Sequence, residues 1–170
     1  MASTLLLTTA ALPAINQARE LVAERAMAVL GGWALLNLLV SGYFVARTDA
    51  RTMPHHFHLM NVGWNVVNLL LAVVGLLRAN PYGVSKLTLA DSLTAQFNFE
   101  KLLVLNLGLD VAYLCIGSWL QARAATDSKP VRLLGFGRSL WLQGGFLLLF
   151  DSGLYLLYHR FAAQLLQLVG

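Results

Sequence analysis

Two carboxylic acids, Asp110 and Asp151, lie deep inside long apolar runs of this 170-residue chain. An Asp at the centre of a membrane-spanning helix costs about 2.5–3.5 kcal/mol to insert. No Lys or Arg lies deep in those runs to pair with them. The least costly arrangement is one proton shared between the two, or a protonated Asp bonded to an Asn amide. Ionisable groups at such depth mark proton, ion or ligand sites by default.

Amides and glycines recur around them at helical spacing. Asn61, Asn65, Asn68, Ala72 and Gly75 fall four, three, four and three apart, on one helix face. Asn106, Asp110, Tyr113 and Gly117 make a second such stripe, which Glu100 and Leu103 extend. Gly144, Leu148, Asp151, Tyr155 and Tyr158 make a third, with Gln143 beside it. Trp33, Asn37 and Ser41 make a fourth. Lipid satisfies neither amides nor carboxyls, so each stripe is expected to face its neighbours. Asn37, Asn65 or Asn68, Asp110 and Asp151 fall near mid-run, which predicts one common polar layer. Amides in lipid also serve as plain interhelical glue, and Gly117 and Gly144 also simply permit close packing.

Composition explains why these residues need helices in lipid to position them. The chain is 58% hydrophobic and 12% charged, against about half and about a quarter in soluble domains. That excludes a soluble enzyme, a disordered chain and a nucleic-acid module. The net charge of +4 comes from basic residues scattered singly or in pairs. No basic stripe with interleaved aromatics exists, so no nucleic-acid partner is expected. The single cysteine, Cys115, lies in an apolar run and builds no disulfide framework.

Four stretches meet the length of about 20 apolar residues that a span requires. They are residues 27–46, 57–77, 102–120 and 140–158, each bounded by charge or histidine. Trp119 and Trp141 stand where interfacial anchors belong. Residues 13–26 start at Pro13, a good helix-start residue, and carry Arg19, Glu20, Glu24 and Arg25. They read as an amphipathic helix that lies on the surface or continues into the first span, with Gly31-Gly32 as a kink point. Residues 1–12 lack a basic lead and read as uncleaved, either loose or interfacial. Thr88 to Phe97 reads as a short interfacial helix or an early start of the third span. The short first and third connections imply antiparallel neighbours. The two membrane faces then carry six Lys and Arg each, so orientation stays open.

His55, His56 and His58 precede the second span, but no Cys and only Asp49 stands near them, so no metal is expected. His58 lies one turn before Asn61 and extends that stripe towards the surface. Glu100 reads as an interfacial cap or as a gate on the stripe. His58 and His159 fall at opposite faces and cannot clasp a haem, so no cofactor is expected. Gly135, Gly137 and Arg138 lack the strand and spacing of a phosphate loop. No catalytic residue is assigned.

Several of these segments are similar to known motifs. Phe57-His58-Leu59-Met60-Asn61 with Trp64-Asn65-Val66-Val67-Asn68 resembles the signature of an uncharacterised family of small bacterial four-helix membrane proteins. The likeness continues in Gly32-Trp33-Ala34-Leu35-Leu36-Asn37, Glu100-Lys101-Leu102-Leu103 and Leu105-Asn106-Leu107-Gly108-Leu109-Asp110-Val111-Ala112-Tyr113. It ends in Gly135-Phe136-Gly137 and the run Gln143-Gly144-Gly145-Phe146-Leu147-Leu148-Leu149-Phe150-Asp151. It covers about residues 16–155. The resemblance implies an architecture and a residue set, and no activity.

The expectation is therefore an all-α, integral membrane, antiparallel four-helix bundle with an N-terminal amphipathic helix, forming one domain in a bacterial cytoplasmic membrane. Its interior would bind a small ligand, proton or ion, in transport or sensing. Asp110 and Asp151 would titrate, Asn37, Asn61, Asn65, Asn68, Tyr113 and Gln143 would orient, and His58 and Glu100 would stand at the mouth. The expected partner is the bilayer, with a homodimer or larger membrane complex where a large transport path is required. Two other classes compete. A structural or assembly subunit requires a fully satisfied interior and no cavity. A membrane enzyme acting on a lipid or quinone requires a cavity open sideways to lipid, with His58 or Glu100 near the Asp pair.

Overall fold

The computed structural model describes the backbone of residues 2–169 and the side chains of residues 11–169 except residue 85. Those residues form four long helices and one short 3-10 turn, with no strand among them. The helices are α1 (Ala2–Arg47), α2 (Met53–Arg78), α3 (Leu89–Arg123) and α4 (Pro130–Leu166), and the turn is Val84–Lys86. All four helices are long and apolar enough to cross a membrane. Even α2, the shortest, is about 39 Å long at about 1.5 Å per residue, against a hydrocarbon core of about 30 Å.

Each helix exceeds the span read from the sequence, for local reasons. Thr88 caps α3: its hydroxyl accepts from the Asp91 backbone N–H at 3.2 Å and donates to the Asp91 carboxylate at 2.7 Å. The segment from Thr88 to Phe97 is therefore the early start of α3, and no separate helix forms there. Proline opens α2 and α4 in the first turn, where its missing N–H costs nothing. Pro13 behaves differently. It lies inside α1, which is helical from Ala2. The residues before it are rich in Ala and Leu, strong helix formers. They carry the helix through a proline that donates no bond to the carbonyl four residues earlier. Any interfacial placement of side chains 2–10 lies outside the described residues. Gly31-Gly32 does not end the helix either.

Close packing joins α1 to α2, α3 to α4 and α2 to α4, with a lighter contact of α1 on α4. The α2–α3 pair is not closely packed. Glycines set the α3–α4 approach. A Cβ on Gly137 would stand 2.7 Å from the Gly117 carbonyl oxygen. One on Gly144 would stand 3.2 Å from the Tyr113 Cβ and 3.3 Å from the Asp110 carbonyl oxygen. With no side chain there, the two backbones touch, and Asp110 and Asp151 come side by side.

The buried faces follow helical periodicity. On α1 the line is Asn16, Arg19, Ala26, Leu30, Ala34, Asn37 and Ser41. On α2 it is Asn61, Asn65, Asn68 and Ala72. The α4 line runs through Leu140, Gly144, Leu147, Asp151, Leu154 and Tyr158. Leu147 and Leu154 therefore replace the expected Leu148 and Tyr155, which are only half-buried. The outward faces are Leu and Val, as at Leu39, Leu77 and Leu149. Trp119 and Trp141 are exposed among them.

Candidate functional site

The expected single polar layer resolves into two levels. Asn61 and Asn68 are seven residues apart on α2, and Gln143 and Asp151 are eight apart on α4. At about 1.5 Å per residue, that separates the levels by roughly 11 Å.

The first level is a closed knot joining α1, α2 and α4. Gln143 Nε2 donates to Asn61 Oδ1 at 2.9 Å and, more weakly, to Asn37 Oδ1 at 3.4 Å. Gln143 Oε1 accepts from Trp33 Nε1 at 3.0 Å. Ser139 Oγ donates to Asn61 Oδ1 at 2.7 Å. Asn37 and Asn65 each return an amide hydrogen to a carbonyl one turn back, those of Trp33 and Asn61. The Trp33 ring stacks on Phe146 at 3.9 Å. His58 Nδ1 and Ser41 Oγ share a hydrogen bond of 3.1 Å at the outer edge.

Unmatched atoms occur at both levels: Asn65 Oδ1 is buried without a partner beside the knot, and the second level holds three more, which line a cavity. The Asp110 and Asp151 carboxyls lie beside each other as an interacting pair, with Asn106 next to Asp151. A bond between two carboxyls requires a proton on one of them. Asp110 Oδ2, Asn68 Nδ2 and Trp64 Nε1 are buried and have no partner. The Trp64 ring meets Tyr113 at 4.6 Å and bridges α2 to α3.

A cavity of about 610 Å³ adjoins this level. Asp110, Asp151, Asn106, Asn68, Trp64 and Tyr113 line one end. Glu20, Glu24 and Arg78 line the other. Leu30, Leu103, Leu147 and Phe150 form apolar wall between them. The volume falls within the usual range for small-molecule sites, about 300–1,000 Å³. Val67 and Leu71 on α2, with Leu102 and Leu109 on α3, line the cavity and are also exposed on the outer surface. The α2–α3 side of the cavity is therefore built from exposed Val and Leu.

A third cluster ties the start of α3 to α1 and α4. Arg19 is 2% exposed. Its Nη1 donates to the Ser92 carbonyl at 2.6 Å, and Asn16 Nδ2 donates to Ser92 Oγ at 2.9 Å. Gln96 Nε2 donates to Glu100 Oε1 and to the Tyr158 carbonyl, both at 2.9 Å. His159 Nδ1 lies 3.0 Å from Glu100 Oε1.

The residues singled out in the sequence thus separate. Asp110, Asp151, Asn68 and Tyr113 meet at the cavity. Asn37, Asn61 and Gln143 meet in the knot instead, and Asn65 is bonded to the Asn61 carbonyl beside it. Neither His58 nor Glu100 lines the cavity mouth. His58 faces Ser41, and Glu100 is buried against Gln96 and His159, so it is not an interfacial cap. The mouth belongs to Glu20, Glu24 and Arg78, which sequence reading placed outside the site. Trp64, Arg19 and Gln96 were also missed as buried polar partners. The spacing of Asn16, Arg19, Ala23, Ala26 and Leu30 carried the Arg19 signal, since it continues the helix face that reaches Asn37. Among the described residues, no three His, Cys, Asp or Glu side chains converge as a metal site would require.

Residues 29–152 match a family model described as a family of unknown function, DUF6992. That is well over half of the chain. The chain belongs to DUF6992. The DUF6992 region contains the knot, the Asp pair, Trp64 and Tyr113, and it leaves out Arg19, Glu20, Glu24 and Tyr158. No curated protein and no solved structure matches the chain.

Proposed function

We propose that this DUF6992 chain is a small multi-pass protein of a bacterial cytoplasmic membrane whose cavity binds a small ligand or proton at Asp110 and Asp151. One observation carries the reading: the intramembrane acid pair and two unmatched donors, Asn68 Nδ2 and Trp64 Nε1, line a cavity that the amide knot one level away does not line. Natural proteins rarely leave buried donors and acceptors unmatched without a bound group to complete them. A subunit whose interior served only as glue would have no such cavity. The antiparallel bundle belongs to this reading. It is supported by the α3–α4 contacts, where rising numbers on α3 (Glu100, Tyr113, Gly117) meet falling ones on α4 (His159, Gly144, Gly137). The segment 13–26 then serves as the cavity-side end of α1, with Glu20 and Glu24 at the mouth. A second copy of the chain would be needed for a through-path, since the closed knot blocks the bundle beyond the Asp pair.

Roles are divided as follows. Asp110 and Asp151 hold one proton between them, Asn106 orients Asp151, and Tyr113 and Trp64 wall the site. The exposed apolar side of the cavity also fits an enzyme acting on a lipid or quinone, but neither His58 nor Glu100 reaches the cavity to assist. Asp110→Asn and Asp151→Asn test the proposal. Both variants should fold with full helical content and reproduce the cellular phenotype of deleting the chain. Full complementation by both would sink the site.

A further inference from the structure

We propose that the ligand is a lipid-soluble molecule with a single hydroxyl head, admitted sideways from the bilayer between α2 and α3. This rests on the ligand-binding reading of the same cavity and adds the ligand's class and its route.

The route follows from packing. The α2–α3 pair, like α1–α3, is not closely packed, and Trp64 against Tyr113 bridges α2 to α3 at the polar level. Val67 and Leu71 on α2, with Leu102 and Leu109 on α3, are exposed and also line the cavity. An ion or a charged metabolite would have to cross that apolar margin bare, so the side route does not serve it; its route is the charged mouth at Glu20, Glu24 and Arg78. An alkyl chain crosses the apolar margin without loss. The lining from Trp64 to Ala79 on α2 spans about 22 Å along the helix axis, long enough for an extended alkyl chain.

The head follows from the unmatched atoms. Three cavity-lining residues each keep one buried, unpartnered side-chain atom: Trp64 Nε1 and Asn68 Nδ2, which donate, and Asp110 Oδ2. Asn68 and Asp110 are 3% and 2% exposed. A hydroxyl accepts two hydrogen bonds and donates one. It therefore matches two donors and a carboxyl acceptor. An ether oxygen accepts but gives nothing to Asp110, and a quaternary ammonium leaves both donors unmatched.

The test uses the full chain in lipid vesicles and three photoactivatable probes. Each carries a mid-chain diazirine on the same C16 chain, ending in a hydroxyl, a methyl ether or a plain methyl group. The hydroxyl probe should label Val67, Leu71, Leu102 or Leu109 saturably, and unlabelled hexadecanol should displace it. Each hydrogen bond lost should weaken occupancy about five-fold, so labelling should fall from alcohol to ether to alkane. Asn68→Leu and Trp64→Phe should each lower the alcohol's occupancy towards the alkane's. Equal labelling by all three probes would overturn the inference, because acyl chains would then merely fill the cavity. Non-saturable labelling would overturn it too. If the probes fail while Asp110→Asn and Asp151→Asn still abolish the cellular phenotype, only the hydroxyl-lipid assignment falls. If those variants are also silent, the site itself falls.

Discussion

The two polar levels should respond oppositely to the same kind of substitution. Gln143→Leu changes side-chain volume little, so overpacking and cavity effects stay small. It removes the donors to Asn61 Oδ1 at 2.9 Å and Asn37 Oδ1 at 3.4 Å, and the acceptor for Trp33 Nε1 at 3.0 Å. Interhelical hydrogen bonds in membranes average about 0.6 kcal/mol and reach about 1.7. Two good bonds and one long one give about 1.5 kcal/mol, and the stranded Trp33 N–H adds about 1 more. The expected loss is about 2–3 kcal/mol. Asn68→Leu removes an amide whose Nδ2 has no partner. It should leave stability unchanged or raise it by about 1 kcal/mol, since an unmatched buried donor is a standing penalty. Reversible unfolding in mixed detergent micelles, followed by helical circular dichroism, measures both. If Asn68→Leu costs as much as Gln143→Leu, the distinction between a closed knot and an open site is refuted.

Other predictions concern what positions the site. Gly137→Val drives a side chain into the Gly117 carbonyl, 2.7 Å from the added Cβ; it should destabilise by about 1–3 kcal/mol in the same unfolding assay. Leu149→Ala, on the outward face, should change stability by less than about 0.5 kcal/mol. Arg19→Met removes the charged donor to the Ser92 carbonyl and should cost about 1.5–3 kcal/mol; amide exchange in the first turns of α3 should accelerate with it. Glu100→Ala removes one of the two acceptors of Gln96 Nε2 and leaves the Tyr158 carbonyl as the other; it should cost about 1 kcal/mol without altering probe labelling at Leu102.

The sequence made some of this legible because polar residues are conspicuous in apolar surroundings. Asn61, Asn65 and Asn68 are amides in a Leu and Val run, so their shared face could be phased directly. The α4 face was misphased because Leu147, Leu148, Leu149 and Phe150 form an unbroken apolar run, in which hydrophobicity alone cannot tell inside from outside. The long helix ends were hidden because spans were sized by the bilayer, whereas capping at Thr88 and the Ala- and Leu-rich start of α1 extend the helices beyond it. The split into two levels depends on helix offset. Periodicity gives the angle of a residue around its own helix and nothing about its height relative to a neighbour. In the sequence, Arg19 stands with Glu20, Glu24 and Arg25 in a segment that reads as an amphipathic helix. In the structure the Ser92 carbonyl sits beside it and supplies the acceptor. Composition and spacing do not reveal that the Trp64 N–H is buried without a partner beside Tyr113.

The central claim is that Asp110 and Asp151 form one proton-holding pair at the cavity. Infrared spectroscopy of the chain in lipid vesicles at neutral pH tests it most directly, through the carbonyl stretch of a protonated carboxyl. The account predicts one such band in the native chain, shifted by deuterium, and lost in both Asp110→Asn and Asp151→Asn. Two ionised carboxylates and no protonated band at neutral pH would contradict it.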